Sequence, residues 1–396
     1  MLTDGIKELS QKYFERMKEL RHQFHMHPEL AFEEYETSRV VAEELRKLGI
    51  QVKTNIAKTG VVGLIEGKYP GKTVLLRADM DALPIEEEAD VSYKSKVKGK
   101  MHACGHDGHT AGLLGVAMIL NELKDQLHGN VKLVFQPAEE DDGGAKPMIE
   151  EGILENPKVD AAFACHLMGF VPKNHIMVKY GPMMAAPDKF VFKIIGKGGH
   201  AASPHMCIDP IMTAVQAINN MQSIISRRVD PVKPAVVSFC TIHGGEGHNV
   251  IPNEVEVGGT IRTFDEKIRE WIPKTMKEIL KGICLGCGAS YEFKLTKHFP
   301  PLINNDEMTH LVKDSAQKII GQKNILIAKE PNMGGEDFAY FAQSVPSAFF
   351  FVGIAPDEQN LIQMHHPKFS WDDEHLLISS QILSQISIDF LNQWKG

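Results

Sequence analysis

Long apolar runs are missing from this chain. None of its 396 residues lies in an uninterrupted apolar stretch of the roughly 18 that a membrane-spanning helix needs. The opening Met1-Leu2-Thr3-Asp4 shows no basic-then-apolar leader pattern, so a cytoplasmic location and no membrane partner are expected. Cysteine is scarce. The six cysteines, at 104, 165, 207, 240, 284 and 287, suggest no secreted disulfide framework. Cys284-Leu-Gly-Cys287 has no second Cys-x-x-Cys to complete a zinc ribbon and reads as ordinary thiols. Blocks of like charge, internal repeats and low-complexity segments are also missing. With 43 Lys and Arg against 51 Asp and Glu, the net charge of -8 argues against a nucleic-acid partner. Small molecules and other protein chains remain.

What is present is an ordinary globular composition, 43% hydrophobic and 24% charged, with room for two domains. Ile6, Leu9, Tyr13, Met17, Leu20 and Phe24 recur at spacings of three or four, which predicts an amphipathic helix over 5–24. Short apolar runs at 61–65, 73–78, 131–135 and 161–165 read as buried strands, and 109–123 and 144–154 as helices between them. That is an α/β layer architecture, a central sheet flanked by helices. From about 185 the pattern changes to strand 188–196, helix 210–228, strands 235–242 and 254–264, helix 266–283 and strand 290–298. The order βαββαβ predicts an inserted ferredoxin-like domain over 185–298, between catalytic segments 1–184 and 299–396. Helices at 306–320 and 336–343, a strand at 348–352 and a last helix capped by Ser370 complete the chain.

The chemistry concentrates at the ends of the predicted strands. Ala103-Cys104-Gly105-His106-Asp107-Gly108-His109 and Gln136-Pro137-Ala138-Glu139-Glu140 supply a thiol, imidazoles and paired carboxylates. Thiolate and imidazole suit zinc and its first-row neighbours, and a nearby carboxylate suits proton transfer from an activated water. Adjacent side chains point in different directions, so one of Glu139 and Glu140 binds metal and the other moves protons. Asp79 and Asp81 follow one strand and His166 another, with His366 in a polar loop. The carboxyl ends of strands in open α/β sheets are where ligands bind, which places these residues in one pocket. Asp79 is expected to orient or charge-tune a ligand while the chain turns Asp81 away. Gly334-Gly335-Glu336-Asp337-Phe338 is expected to open a helix whose amides suit a substrate carboxylate.

Five motifs, in order along nearly the whole chain, resemble those of the peptidase M20 family. They are Arg-Ala-Asp-Met-Asp-Ala-Leu-Pro at 77–84, Met-His-Ala-Cys-Gly-His-Asp-Gly-His at 101–109, Gln-Pro-Ala-Glu-Glu at 136–140, Gly-Gly-His-Ala-Ala-Ser-Pro at 198–204 and Gly-Gly-Glu-Asp-Phe at 334–338. Within that family they resemble the amidohydrolase branch of hippurate hydrolases, N-acyl-amino-acid deacylases and auxin-conjugate hydrolases. The resemblance implies Cys104, His106, Glu140, His166 and His366 as metal ligands and Glu139 as general base. It also implies that the inserted domain is a lid and dimerisation domain, with His200 contacting substrate. Asn249, Arg262 and Gly335 join His200 as substrate-binding candidates, and Asp79 and His200 join Glu139 as catalytic ones. Many relatives outside this branch carry His-x-Asp where this chain has Arg77-Ala78-Asp79, and a bridging Asp where Cys104 falls.

The expectation is a homodimeric or tetrameric hydrolase of N-acyl amino acids or similar small amides, using two divalent ions of zinc, manganese, cobalt or nickel per chain. The readings that compete with it are a small-peptide carboxypeptidase or dipeptidase of the same family, a thiol hydrolase with Cys104 as nucleophile, and a non-catalytic metal-binding protein.

Overall fold

A computed structural model describes residues 2–140, 143–357 and 359–393. The chain forms two compact units, one of residues Met1–Met183, Ile303–Pro331 and Asp337–Gly396, the other of Met184–Leu302 and Asn332–Glu336. No helix among the described residues is long and apolar enough to cross a membrane.

The first unit begins with α1 (Leu2–Met26) and α2 (Tyr35–Lys47), followed by strands β1 (Gln51–Ile56), β2 (Gly60–Glu66) and β3 (Tyr69–Asp79). Then come α3 (His106–Glu122), β4 (His128–Gln136), α4 (Ala145–Glu150), β5 (Ala161–Pro172) and β6 (Ile176–Val178). The chain leaves through β7 (Gly181–Met184). One eight-stranded sheet carries this unit, and at its centre β4, β3, β5 and a strand at Ser347–Ala355 run parallel. Parallel strands buried on both faces need near-continuous apolar sequence, and Val74, Leu75, Leu76, Leu133, Val134, Phe135 and Phe163 supply it. β2 joins the edge of β4 antiparallel, so the sheet is mixed.

Register places the chemistry. Asp79 faces Gln136 across the β3–β4 pair, and Arg77 faces Ala164 across β3–β5. Two residues further along each strand, Asp79 and His166 therefore stand at the same level. A slip of one residue would send every side chain of the strand to the opposite face and break the packing on both sides of the sheet.

In the second unit β8 (Ala186–Ile195), α5 (Pro210–Ser223), β10 (Ala235–His243), β12 (Glu254–Thr263), α6 (Glu266–Cys287) and β13 (Ser290–Thr296) follow the βαββαβ order, with short β9 (Gly199–His200) and β11 (Val250–Ile251) between them. The four long strands make an antiparallel sheet in the order β10-β12-β8-β13, a ferredoxin-like topology. Alternation along β8 sends Phe190, Phe192 and Ile194 into a core shared with Met221, Ile272, Met276 and Leu280 of the two helices. Asp209 and Asp265 cap α5 and α6 by accepting from the first free amides of each helix.

The chain re-enters the first unit at β14 (Leu302–Asn304) and continues through α7 (Asp306–Ile320), β15 (Ile325–Ile327), α8 (Ala339–Ser344), β16 (Ser347–Ala355) and α9 (His375–Gln393). Two expectations need correction here. The helix predicted from residue 336 starts only at Ala339, because Asn332 and Gly334 give their carbonyls to the Ala185 N–H and hold 332–336 with the second unit. Gly335 accordingly opens no helix. It packs on the Pro187 ring, where an added Cβ would lie 2.5 Å from Cγ. The last helix starts at His375 rather than after Ser370, since Asp373 is drawn instead to Arg21 at 2.5 Å and to His22.

Arg269 of α6 is bidentate to Asp188 of β8 at 2.6 and 2.7 Å, both side chains buried in the second unit. Removing one partner strands the other charge in a low dielectric. Arg269→Met is expected to cost about 3–5 kcal/mol, with a smaller loss when Asp188→Leu is added, because the pair then vanishes together. Urea unfolding followed by hydrogen exchange of the α6 amides measures both.

Candidate metal centre

Cys104, His106, Glu139, Glu140 and His166 come together in the first unit. The Cys104 Sγ lies 3.5 Å from His166 Nε2, and His106 Nε2 lies 3.9 Å from Glu140 Oε1. Donor atoms of Cys104, His106 and His166 lie within 4.8 Å of one another, as do those of His106, Glu139 and Glu140. Gly105, at φ 94°, turns the chain from Cys104 into α3, a left-handed geometry that suits glycine. His106 and Asp107 then open the helix on a buried face.

Outer partners set each imidazole. His106 Nδ1–H donates to the Asp81 carbonyl at 2.9 Å and His166 Nδ1–H to the Leu167 carbonyl at 2.6 Å, so both turn Nε2 toward the centre, that of His166 against Cys104 Sγ. His109 is used at both ends. Its Nδ1–H donates to Asp79 at 2.6 Å, and its Nε2 accepts from the Leu167 N–H at 2.9 Å. The Arg77 guanidinium lies 2.6 Å from Asp79. Donor atoms of Asp79, His106 and His109 also lie within 4.8 Å of one another, but Asp79 is already paired with Arg77 and His109 has both ring nitrogens engaged.

Asp81 faces the site rather than turning away. Its two carboxylate oxygens accept the Glu139 and Glu140 N–H groups, each at 3.0 Å. One residue thus ties the carbonyl that orients His106 to the backbone that presents both glutamates. Arg77 also reaches Asp337 at 2.8 Å and Gln136 at 2.9 Å, closing a buried polar network under β3 and β4.

The sequence reading chose His366, but the structure brings His365 to the cluster. His365 adopts φ 55°, donates its N–H to the Ala103 carbonyl, and sets Nε2 3.2 Å from both Cys104 Sγ and Glu140 Oε1. His366 instead accepts the Lys368 N–H on Nδ1 at 3.1 Å and stands outside the cluster. Of two adjacent histidines, sequence spacing favours neither. His109 and Asp81 were missed as partners of the site, although an i, i+3 spacing puts His109 on the His106 face of a helix.

Among the substrate-binding candidates, His200 is exposed in β9 and pairs with Val250, next to Asn249, whose carbonyl accepts the Ala201 N–H. Arg262 is half-buried on β12 and donates to Thr260 and to the Met333 carbonyl. Both belong to the second unit.

The donor set fits divalent cations. Burial and the carboxylates of Glu140 and Glu139 push the Cys104 thiol well above its usual range, so only a nearby positive charge releases its proton. Burial opposes charge on His106, but Asp79 and Asp81 outweigh it and lift its pKa to about 10. Burial would raise the Glu140 pKa, yet His365 and His106 bring it below normal. His106 Nε2 is buried without a hydrogen-bond partner among the described residues. Buried polar atoms left bare in this way mark a place for a ligand.

Behind α3, His25 of α1 is held between Asp107 at 2.9 Å and Glu87 at 3.1 Å, with Arg21 also on Asp107. Burial disfavours its charge, but the two carboxylates prevail and raise its pKa to about 9. An unfolded imidazole titrates near 6.5, so this stabilisation is complete below about pH 6.5 and is lost as pH rises through about 9. Urea midpoints measured across that window are expected to fall by the equivalent of about 3 kcal/mol through His25. In His25→Gln that fall should be absent.

A model of peptidase family M20/M25/M40 matches residues 75–388. Thermostable carboxypeptidase 2 of Saccharolobus solfataricus is 44% identical over 397 residues, covering 99% of this chain and 98% of that protein. An N-acyl-L-amino acid amidohydrolase of Geobacillus stearothermophilus is 46% identical over 308 residues, covering 78% and 83%. Among solved structures, the Bacillus subtilis YXEP protein, described as a dinuclear metal binding peptidase from the M20 family, has a TM-score of 0.83 and 36% identity, covering 96% of this chain and 99% of that one. The motifs at 77–84, 101–109, 136–140, 198–204 and 334–338 are thus those of a known hydrolase lineage, and the chain belongs to peptidase family M20/M25/M40.

Proposed function

We propose that this chain hydrolyses the amide bond of N-acyl amino acids, with two divalent metal ions held by Cys104, His106, Glu140, His166 and His365, and with Glu139 as general base. The observation that carries the reading is the convergence of a thiol, three imidazoles and a carboxylate at a site where His106 Nε2 is buried without a hydrogen-bond partner among the described residues. Similarity to an N-acyl-L-amino acid amidohydrolase supports the substrate class, and similarity to a dinuclear metal binding peptidase supports the count of two ions. Thiolate and imidazole favour zinc, with manganese, cobalt and nickel also fitting such a set.

When bound, such ions polarise the amide carbonyl and acidify a water. Glu139, buried beside the ligand set, accepts the proton of the attacking water and returns it to the leaving amine nitrogen. Asp81 holds the Glu139 and Glu140 amides, so base and ligand keep a fixed separation through the reaction. A Cys104 nucleophile is disfavoured, because a reactive thiol needs a lowered pKa and this one is raised. Carboxypeptidase action is the second reading, favoured by the 44% identity to thermostable carboxypeptidase 2. N-acetyl and N-benzoyl amino acids assayed beside dipeptides and longer peptides decide between them.

Glu139→Gln should keep its metal and lose roughly two to four orders of magnitude in kcat. Glu140→Gln and His365→Ala should lose metal, and His366→Ala should keep both metal and most activity. Metal analysis of the four purified variants reads this directly. Metal loss in His366→Ala with retention in His365→Ala would sink the ligand assignment.

The second unit suits self-association. β10 lies at the edge of its sheet, and Ile242 on it, Val250 of β11 and Met212 and Val215 of α5 are exposed apolar side chains of the same unit. The proposed assembly is a homodimer in which His200 acts on the partner's substrate. Mixing inactive His200→Ala with inactive Glu139→Gln subunits should then restore about one site in four, since about half the dimers are mixed and each has one complete site. Fully mixed subunits that regain nothing would exclude a shared site.

A further inference from the structure

Glu34 stands at the N-cap of α2, where an acidic side chain ordinarily accepts the first amides of its own helix. Its carboxylate makes no such bond. It turns inward instead and is fully buried. Oε1 accepts the Phe32 N–H at 3.0 Å and the Ala138 N–H at 2.9 Å, and Oε2 accepts the Thr59 hydroxyl at 2.6 Å. All three donors are neutral, and burial, aided by the nearby Asp81 charge, outweighs their hydrogen bonds and raises the Glu34 pKa to about 7. A carboxylate is a costly way to serve three neutral donors unless their placement matters.

Two of those donors share an unusual geometry. Phe32 has φ 58° and Ala138 has φ 54°, left-handed conformations that residues with a Cβ seldom adopt. Ala138 directly precedes Glu139, so its φ sets where the next two side chains go. The Ala138 carbonyl accepts from the Gly143 and Gly144 N–H groups, while Asp81 holds the amides of Glu139 and Glu140. Glu34 adds a further hold on this turn, at the Ala138 N–H. With β4 fixed before this turn and Asp81 holding the amides after it, turning the Pro137–Ala138 peptide over would both point this N–H away from Glu34 and take Ala138 out of the left-handed region.

We propose that Glu34 is a positioning residue: by holding the Ala138 N–H it keeps Ala138 left-handed and thereby aims Glu139 and Glu140. The role rests on the reading of Glu139 as base and Glu140 as ligand. It acts entirely within the first unit, from a residue about a hundred positions away in sequence.

The full chain is tested as wild type, Glu34→Ala, Glu34→Gln and the double variant Glu34→Ala/Ala138→Gly. Two readouts are used, kcat and KM on an N-acetyl amino acid, and Zn²⁺ affinity of the apo protein by competition with a chromophoric chelator. Glu34→Ala is expected to lower kcat about 10- to 100-fold while KM moves less than about threefold. Zn²⁺ affinity should fall about tenfold, as when an outer partner of a ligand is lost. Glu34→Gln should recover most of both, because its amide oxygen accepts the same N–H. Glycine adopts positive φ without strain, so Ala138→Gly should recover at least about threefold of the kcat lost in Glu34→Ala. A role confined to capping or packing α2 predicts no such rescue from a change at 138. The proposal is overturned if Glu34→Ala keeps kcat and Zn²⁺ affinity within about twofold of wild type. It is equally overturned if neither Gln nor the second-site glycine restores them. Failure of the functional reading shows separately, as a wild-type chain that neither binds Zn²⁺ nor cleaves the amide, and overturns both.

Discussion

Asp79, Asp81, Glu139 and Glu140 lie beside Cys104 in the interior of the first unit, where every negative charge is costly unless something positive answers it. Arg77 answers Asp79. Backbone amides answer Asp81. Beside Glu140 and Cys104 stand the imidazoles of His106, His166 and His365, and burial with the neighbouring carboxylates still holds the thiol pKa well above its usual range. Much of the surrounding architecture exists to hold this imbalance in place. The Arg77, Gln136 and Asp337 network fixes the strand ends beneath it, and Arg21 with His25 fixes the start of α3 behind it.

The division of labour among the acids follows from their partners rather than their type. Asp79 and Asp81 are two residues apart, yet one is saturated by a guanidinium and an imidazole while the other spends its oxygens on two amides. Glu139 and Glu140 are adjacent, and the left-handed turn at Ala138 presents them both to His106. Imidazoles divide in the same way. His106 and His166 have one nitrogen committed to a carbonyl and the other turned to the cluster, whereas His109 has both committed outside it and braces the strand that carries His166. A site of this kind gains precision from outer hydrogen bonds, since each ligand's direction is set before any ion arrives.

The second unit has a different physical basis. A single aromatic and aliphatic core under a four-stranded sheet, with the buried Asp188–Arg269 pair at its margin, makes it a self-contained βαββαβ body. His200 sits on a two-residue strand at its surface, where no packed core dictates the side chain's orientation.

Periodicity in the sequence determined the α/β character of the first unit, the βαββαβ order of the second and the strand ends that carry Asp79 and Glu139. These are local properties, set by alternation of two for strands and three or four for helices, and they survive without knowledge of neighbours. The clustering of Cys104, His106, Glu139, Glu140 and His166 was legible for the same reason, because buried parallel strands align their carboxyl ends. Tertiary structure alone decided the rest. It chose His365 over His366 through a positive φ and a bond to Ala103, and it turned Asp81 toward the site and Glu34 away from its own helix. It withdrew 332–336 from the predicted helix by pairing it with Ala185. In each case the deciding partner lies far along the chain, and a backbone dihedral or a buried acceptor supplied by that partner leaves no periodic trace in the sequence.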